Sequence, residues 1–414
     1  MTLQNNLKHY SLEGLGLITP KKLVKKSIFL SNRKIKSLGK KAPFHLNFKD
    51  AFIFPALINL HDHFRGNYLP KIGPPPNTFY IRCHDWEKDL RASAVVNGER
   101  SKISELDCYY LSAYKNLFSG VATVNDHYPH KINDNYIPLM PLRLIKEYTL
   151  HHEATSFALP WGEGIEIEHQ RAVENNYPFI LHLEEGLDAE YQRGLEVLEE
   201  LECLDSHNIH IHCVGYSDED IRKTKQAGAT VGWCPASNIF MYNVTCKIKK
   251  ILKAGINVAL GTDSTATGSL NLLEEMRFAR KIYWKMYGED LSPKIILEMV
   301  TINPAKAFRM SRQIGTLEEG KLADILVVRA KDEDPYESLL KTQTEDILLL
   351  TIEGNPVLGH KTYEELFVAR GQQYSEVSLR GKKFLVKGDP KALIQRVREA
   401  VGFKKVLDFI PLDI

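Results

Sequence analysis

The sequence predicts an α/β fold in which parallel β-strands, alternating with helices, close into a barrel. Three observations carry this expectation. From Phe52 onward, near-continuous apolar β-runs alternate with segments of helical period. Such runs suit strands buried on both faces, the habit of parallel sheets. The 414 residues are 43% hydrophobic, enough for a large core without disulfide staples. Charge is balanced, with 54 Lys+Arg against 52 Asp+Glu, which excludes a disordered chain and leaves no basic excess for nucleic acid.

The elements follow in chain order. Residues 1–8 (MTLQNNLK) show no charged-then-apolar leader pattern. Residues 27–31 (SIFLS) read as a strand, and the basic turns at 32–34 and 39–41 read as a solvated edge. The β-runs of the central region are 52–60, 120–124, 178–181, 209–214, 229–233 and 256–260. Helical patterns lie between them, at 188–204 with Leu195, Leu198 and Leu201, and at 272–287 with Leu273, Met276, Ala279 and Tyr283 on one face. Seven or eight such units would close a barrel. After Ser311 the β texture returns, with strands expected within 315–328, 347–355 and 375–386 and a last amphipathic helix at 391–401. The six cysteines form no C-x-x-C pair, and a reducing cytoplasm is the expected setting. No run reaches about 18 apolar residues, so no membrane span is expected.

The chemistry gathers at strand ends. His61-Asp62-His63 closes the first central run, and alternation puts both imidazoles on one side. His182 and His212 end later β-runs, and Asp263 follows another. In a parallel barrel those ends converge on one face, so three or four histidines and one aspartate meet there. These donors suit Zn²⁺ or Fe²⁺ with a position left for water.

The chain resembles the amidohydrolase superfamily, in its cytosine-deaminase-like and triazine-hydrolase-like branch. The resemblance runs over about residues 45–330 and rests on PALINLHDH at 55–63, LHLEEG at 181–186, HCVGYSDEDI at 212–221, CPASN at 234–238, GTDS at 261–264, TINPA at 301–305 and GTLEEGKLAD at 315–324. It implies that His61, His63, His182 and Asp263 hold one divalent metal, Zn²⁺ first and Fe²⁺ second. It implies that His212 orients the attacking water, that Asp263 also takes a proton from it, and that Glu185 shuttles a proton to the substrate. A bound metal lowers the pKa of its water to about 7, which makes hydroxide available at neutral pH.

Two departures from the family pattern matter. A bridging carboxylated lysine would have to be Lys131 or Lys146, neither at a strand end, so one metal is expected. Residues 129–177 are too short for two strand–helix units, so the expected fold is a distorted (β/α)8 TIM-like barrel over residues 56–312. Residues 1–55 and 313–414 are expected to combine into one small β-sandwich domain with a C-terminal helix.

Trp86, in the loop after the first strand, and His127 are the candidate substrate-binding residues. His84, His130, His151 and His152 can line the pocket or serve ordinary roles. His210 reads as a buried histidine bonded to a carbonyl, Asn238 as a strand-end structural residue, and Glu184 as pointing away from the site. The expected function is metal-dependent hydrolysis that removes an amino or similar group from a carbon of a nitrogen heterocycle. Cyclic or acyclic amide hydrolysis is the alternative, and a non-catalytic scaffold the remote one. The expected partner is a small molecule, with no nucleic acid and no membrane, and a homodimer is allowed for.

Overall fold

The structure, a computed structural model, describes residues 7–20 and 22–413. The first six residues of the leader reading lie outside the described ones.

Eight parallel strand segments surround the centre: β1 (Leu57–Asp62), β2 (Val121–Asp126), β3 (Arg143–Leu144), β4 (Thr149–Glu153), β5 (Phe179–Leu183), β6 (Asn208–His212), β7 (Thr230–Trp233) and β8 (Asn257–Leu260). They form a three-stranded sheet ordered β3-β2-β1 and a five-stranded sheet ordered β4-β5-β6-β7-β8. Apart from Arg143 in β3, His151 in β4 and Asn257 in β8, every residue of these segments is buried, which explains their unbroken apolar texture. The short region 129–177 is accommodated by one chain run. Its first part, β3, pairs with β2, and its second, β4, pairs with β5 four residues later. One run therefore borders both sheets, where the family pattern would place two strand–helix units. On the opposite side, Ile58 N–H donates to the Val300 carbonyl at 2.8 Å and Asp263 N–H to the His61 carbonyl at 3.1 Å. Gly261 permits this approach, because a Cβ there would come within 3.0 Å of the His61 main-chain nitrogen and oxygen.

The helices between strands show why the sequence stops them where it does. Leu272–Tyr287 matches its expected bounds: Asn271 caps it by accepting from Glu274 N–H, and Gly288 ends it in the left-handed region at φ 64°. Asp218–Ala227 carries a Ser217/Asp220 capping box and stops at Gly228. The expected helix at 188–204 is shorter, Gly194–Glu200. Glu184 Oε1 accepts the Leu195 N–H at 3.1 Å and fixes its start. The carboxylate at this helix start is thus Glu184.

Outside these strands, two sheets are built from segments near both chain ends. A four-stranded sheet holds His9–Glu13, Ile28–Ser31, Lys34–Leu38 and His45–Asn47. An eight-stranded sheet places Ala51–Pro55 between Gly16–Ile18 and Ile325–Arg329. A shared core joins the two, with Tyr10, Leu30 and Phe48 against Ile53, Val327 and Leu349. The run 52–60 therefore divides at Pro55: one half joins this sheet and the other starts β1. The segment 375–386 is a hairpin, Ser375–Leu379 and Lys382–Val386, turned by Arg380 and Gly381, both at positive φ. The last helix is Pro390–Val401.

Arg143 clamps these sheets to β2 and β3. Its guanidinium bonds Thr123 Oγ1 at 2.9 Å, Glu353 Oε1 at 3.0 Å and the Asp324 carboxylate, which is almost fully buried. Arg143→Ala strands that buried carboxylate and should cost about 3 kcal/mol in urea unfolding. A loss below about 0.5 kcal/mol would show that the junction does not depend on it.

Candidate metal centre

The C-terminal ends of the central strands bring together the side chains singled out from sequence. His61 and His63 come from β1, His182 from β5 and His212 from β6, while Asp263 follows β8. His61 and His63 ring centroids are 4.7 Å apart, and His61 and His182 5.1 Å. Asp263 Oδ1 lies 3.6 Å from His63 Nε2 and 4.0 Å from His61 Nε2. Burial holds the His61 and His182 rings well below the usual imidazole range, and neighbouring imidazoles add to the effect. His63 is lowered by burial against the opposing pull of Asp263. These rings are thus neutral, the state that binds a metal.

Main-chain strain and hydrogen bonds aim the donors. His212 has φ 72° and Asp263 φ 52°, both in the left-handed region. His182 Nδ1 meets the His152 carbonyl at 2.9 Å, leaving Nε2 for the centre. His212 Nδ1 meets Asn238 Oδ1 at 2.8 Å. Asp263 Oδ2 accepts from the Ser237 hydroxyl at 2.7 Å and the Thr267 hydroxyl at 2.6 Å. Burial pushes the Asp263 carboxyl up, but His63, His212 and those hydroxyls outweigh it and hold it at about 2. Asn238 and Ser237 sit on the helix Pro235–Tyr242, so the CPASN segment orients two site residues at once. This corrects the reading of Asn238 as a strand-end residue. Glu275 anchors that helix, its Oε1 accepting the Ala236 N–H at 3.0 Å.

A second layer was missed from sequence. Asp62, between the two histidines, points the other way and is fully buried. It accepts from His63 N–H at 2.9 Å, Asn67 Nδ2 at 2.8 Å, Asn116 Nδ2 at 2.8 Å and Lys115 Nζ at 3.1 Å. Lys115, equally buried, also reaches Thr262 Oγ1 and the Asp263 carbonyl, both at 3.2 Å. The signal that could have found Lys115 is its helix, Glu105–Leu117, whose second half is buried on every side.

A cavity of about 530 Å³ opens over this cluster. His63, His182, His212, Glu185 and Asp263 face it. Glu185 Oε2 lies 3.5 Å from His212 Nε2, and Tyr242 OH donates to Oε1 at 3.2 Å. Burial, with the Asp263 and Glu153 charges nearby, pushes the Glu185 carboxyl well above the usual range. Trp86 lines the cavity, but from the helix Cys83–Ala92 instead of a loop, and its Nε1 donates to the Ile72 carbonyl at 2.9 Å. His152 also lines it. His127 does not: its ring is wholly buried behind the wall, 4.4 Å from His182 and 5.2 Å from His61. This corrects its reading as a pocket residue. His210 bonds the Tyr216 hydroxyl at 2.6 Å, not a carbonyl. Lys131 and Lys146 are exposed, so neither bridges a second ion.

The donor set fits a divalent metal. Both ring nitrogens of His61 and of His127 are buried without a hydrogen-bond partner. Neutral imidazoles aimed at one another with idle lone pairs are a cradle for a cation.

Residues 165–357 match the amidohydrolase family. Likeness to solved structures extends over the whole fold. An adenosine deaminase from Xanthomonas campestris with bound zinc superposes with a TM-score of 0.73 at 18% identity, covering 94% of this chain and 97% of that one. The triazine hydrolase from Arthrobacter aurescens gives 0.74 at 18%, over 95% and 100%. Such distant likeness establishes the fold, a TIM-like barrel. Among curated relatives, the 5-methylthioadenosine/S-adenosylhomocysteine deaminase of Pyrococcus abyssi is 41% identical over 138 residues, 32% of each chain. That of Caldanaerobacter subterraneus is 30% identical over 217 residues, 50% of this chain and 49% of its own. The chain thus spans about half or less of the length of these relatives. Among the described residues, no helix is long and apolar enough to cross a membrane.

Lys115→Met leaves Asp62 charged and unpaired, and should cost about 3–5 kcal/mol in urea unfolding, with Asp62→Asn added to it recovering part. Additive losses in the double variant would dismiss the pair. Glu275 gives a pH signature. Burial raises its carboxyl to about 7, against the lowering pull of the Ala236 amide. Both states are protonated below about pH 4.5, and the unfolded chain ionises first above it, so stability is lost as pH rises towards 7. The melting temperature of Glu275→Gln relative to wild type should therefore rise between pH 5 and 7.5. A difference independent of pH would contradict this.

Proposed function

We propose that this protein is a metal-dependent hydrolase that replaces an amino group, or a similar leaving group, on a carbon of a nitrogen heterocycle. The observation that carries the reading is Glu185: a buried carboxyl, pushed above the usual carboxylate range by burial, beside His212 and facing the cavity above a cluster of imidazoles. His61, His63, His182 and Asp263 would hold the ion, with Zn²⁺ favoured by the donor types and by the zinc-bound relatives. When bound, the ion supplies Lewis acidity, which makes water nucleophilic near neutral pH.

The chain's own residues then divide the remaining work. His212, its Nδ1 occupied by Asn238, presents Nε2 towards the water and the charge that develops on the carbon's oxygen. Asp263 stays ionised and takes the proton of the attacking water. Glu185 gives its proton to the ring nitrogen, the amine departs with the proton that Asp263 took from the water, and the proton left on the new hydroxyl returns to Glu185, so that water and the aminated ring become ammonia and the oxo ring. Trp86 and Trp161 give one side of the cavity a large aromatic wall. The deaminase names of the relatives support an aminopurine nucleoside as the first substrate class to try. The six free thiols fit a reducing cytoplasm.

Ammonia release should be measured with 5-methylthioadenosine, S-adenosylhomocysteine, adenosine, guanine, aminopyrimidines and aminotriazines. Turnover of at least one is expected. No release from any, alongside cleavage of cyclic or acyclic amides, would move the reading to amide hydrolysis. Glu185→Gln should lower kcat about 10²–10⁴-fold with metal content unchanged. Asp263→Ala should lose both activity and tight metal retention, and near-normal rates in it would refute its role.

A further inference from the structure

We propose that His127 is itself a metal ligand, a fourth imidazole beside those of His61, His63 and His182. The inference rests on the metal-centre reading above and adds a donor to it.

Placement comes first. His127 directly follows β2, the neighbour of β1, and its main-chain N–H donates to the Asp62 carbonyl at 3.0 Å. That bond locks it in register with the two histidines of β1. One nitrogen from each of His61, His63, His127 and His182 lies within 4.8 Å of the other three. Four donors this close can meet at one ion, with Asp263 Oδ1 at the edge of the same group.

The state of the ring comes second. His127 has no exposure, and neither ring nitrogen closes a hydrogen bond. A buried imidazole has one N–H and one lone pair to satisfy, and leaving them idle is costly. His210 shows how a buried histidine settles in this fold: one ring nitrogen finds the Tyr216 hydroxyl. His127 instead has Trp161 packed edge-on at 5.6 Å and imidazoles on its other sides. His182, by contrast, has its Nδ1 occupied by the His152 carbonyl at 2.9 Å.

Crystals of the full chain loaded with Zn²⁺, measured at the zinc absorption edge, test this directly. A His127 ring nitrogen within about 2.0–2.2 Å of the ion is expected. In solution, His127→Ala and the shape-filling His127→Phe should surrender Zn²⁺ to a competing chelator at least about 100-fold more readily than wild type. The Co²⁺-loaded variants should also show an altered visible spectrum, which a purely packing role would not produce. A nitrogen more than about 3 Å from the ion, or a folded His127→Phe with wild-type retention and spectrum, would overturn the proposal and leave the three-histidine centre standing. Failure of the wild-type protein to take up Zn²⁺ would overturn both.

Discussion

The candidate centre depends on one buried ion pair. Asp62 and Lys115 are both withdrawn from water, an arrangement whose desolvation costs several kcal/mol per ion. It is tolerable because every oxygen of Asp62 and the Lys115 ammonium are engaged. The pair joins three pieces of chain that must agree in position: the end of β1, the helix Glu105–Leu117, and the turn after β8. Alternation along β1 turns Asp62 away from the centre while its neighbours face it. The same dipeptide step therefore serves as donor on one side and anchor on the other.

Strain gathers at the same level of the barrel. Glu184, His212, Cys213 and Asp263 all have positive φ, between 52° and 72°. For residues with a Cβ this costs about 1–2 kcal/mol each. The cost is carried by bonds that only this fold provides: Cys213 N–H to the Leu183 carbonyl at 3.1 Å, Gly215 N–H to the Glu184 carbonyl at 2.9 Å, and Asp263 N–H to the His61 carbonyl at 3.1 Å. Strain located where strands turn into loops is what lets these side chains turn inward instead of following the pleat.

Much of this was legible in the amino-acid order. Strands buried on both faces leave unbroken apolar runs, so β2, β5, β6, β7 and β8 were visible before their partners were known. The helix Leu272–Tyr287 was legible to the residue because an asparagine and a glycine bracket a clean 3.6-residue pattern. The division at Pro55 was hidden because both halves of the run are buried, in different sheets. The hairpin at 380–381 was hidden because Arg-Gly is a weak turn signal. In the site, His61, His63, His182 and Asp263 stood out through motif and order. His127 carries no spacing signal, because only the pairing of β2 with β1 brings it there. Lys115 was invisible for the opposite reason: a lysine in a helix ordinarily reads as solvated.

The interleaving of both chain ends has a consequence for synthesis. Ala51–Pro55 is flanked in its sheet by Ile325–Arg329, a partner made some 270 residues later. Until then its Phe52, Ile53 and Phe54 have one unsatisfied edge, an invitation to non-native pairing. A chain emerging from the ribosome at about 5–20 residues per second must protect that edge for tens of seconds. The half of the run that enters β1 meets its own neighbour, β2, far sooner. The centre can thus begin to assemble before the sheet that clamps it, and the Arg143 junction becomes a late checkpoint on the nascent chain.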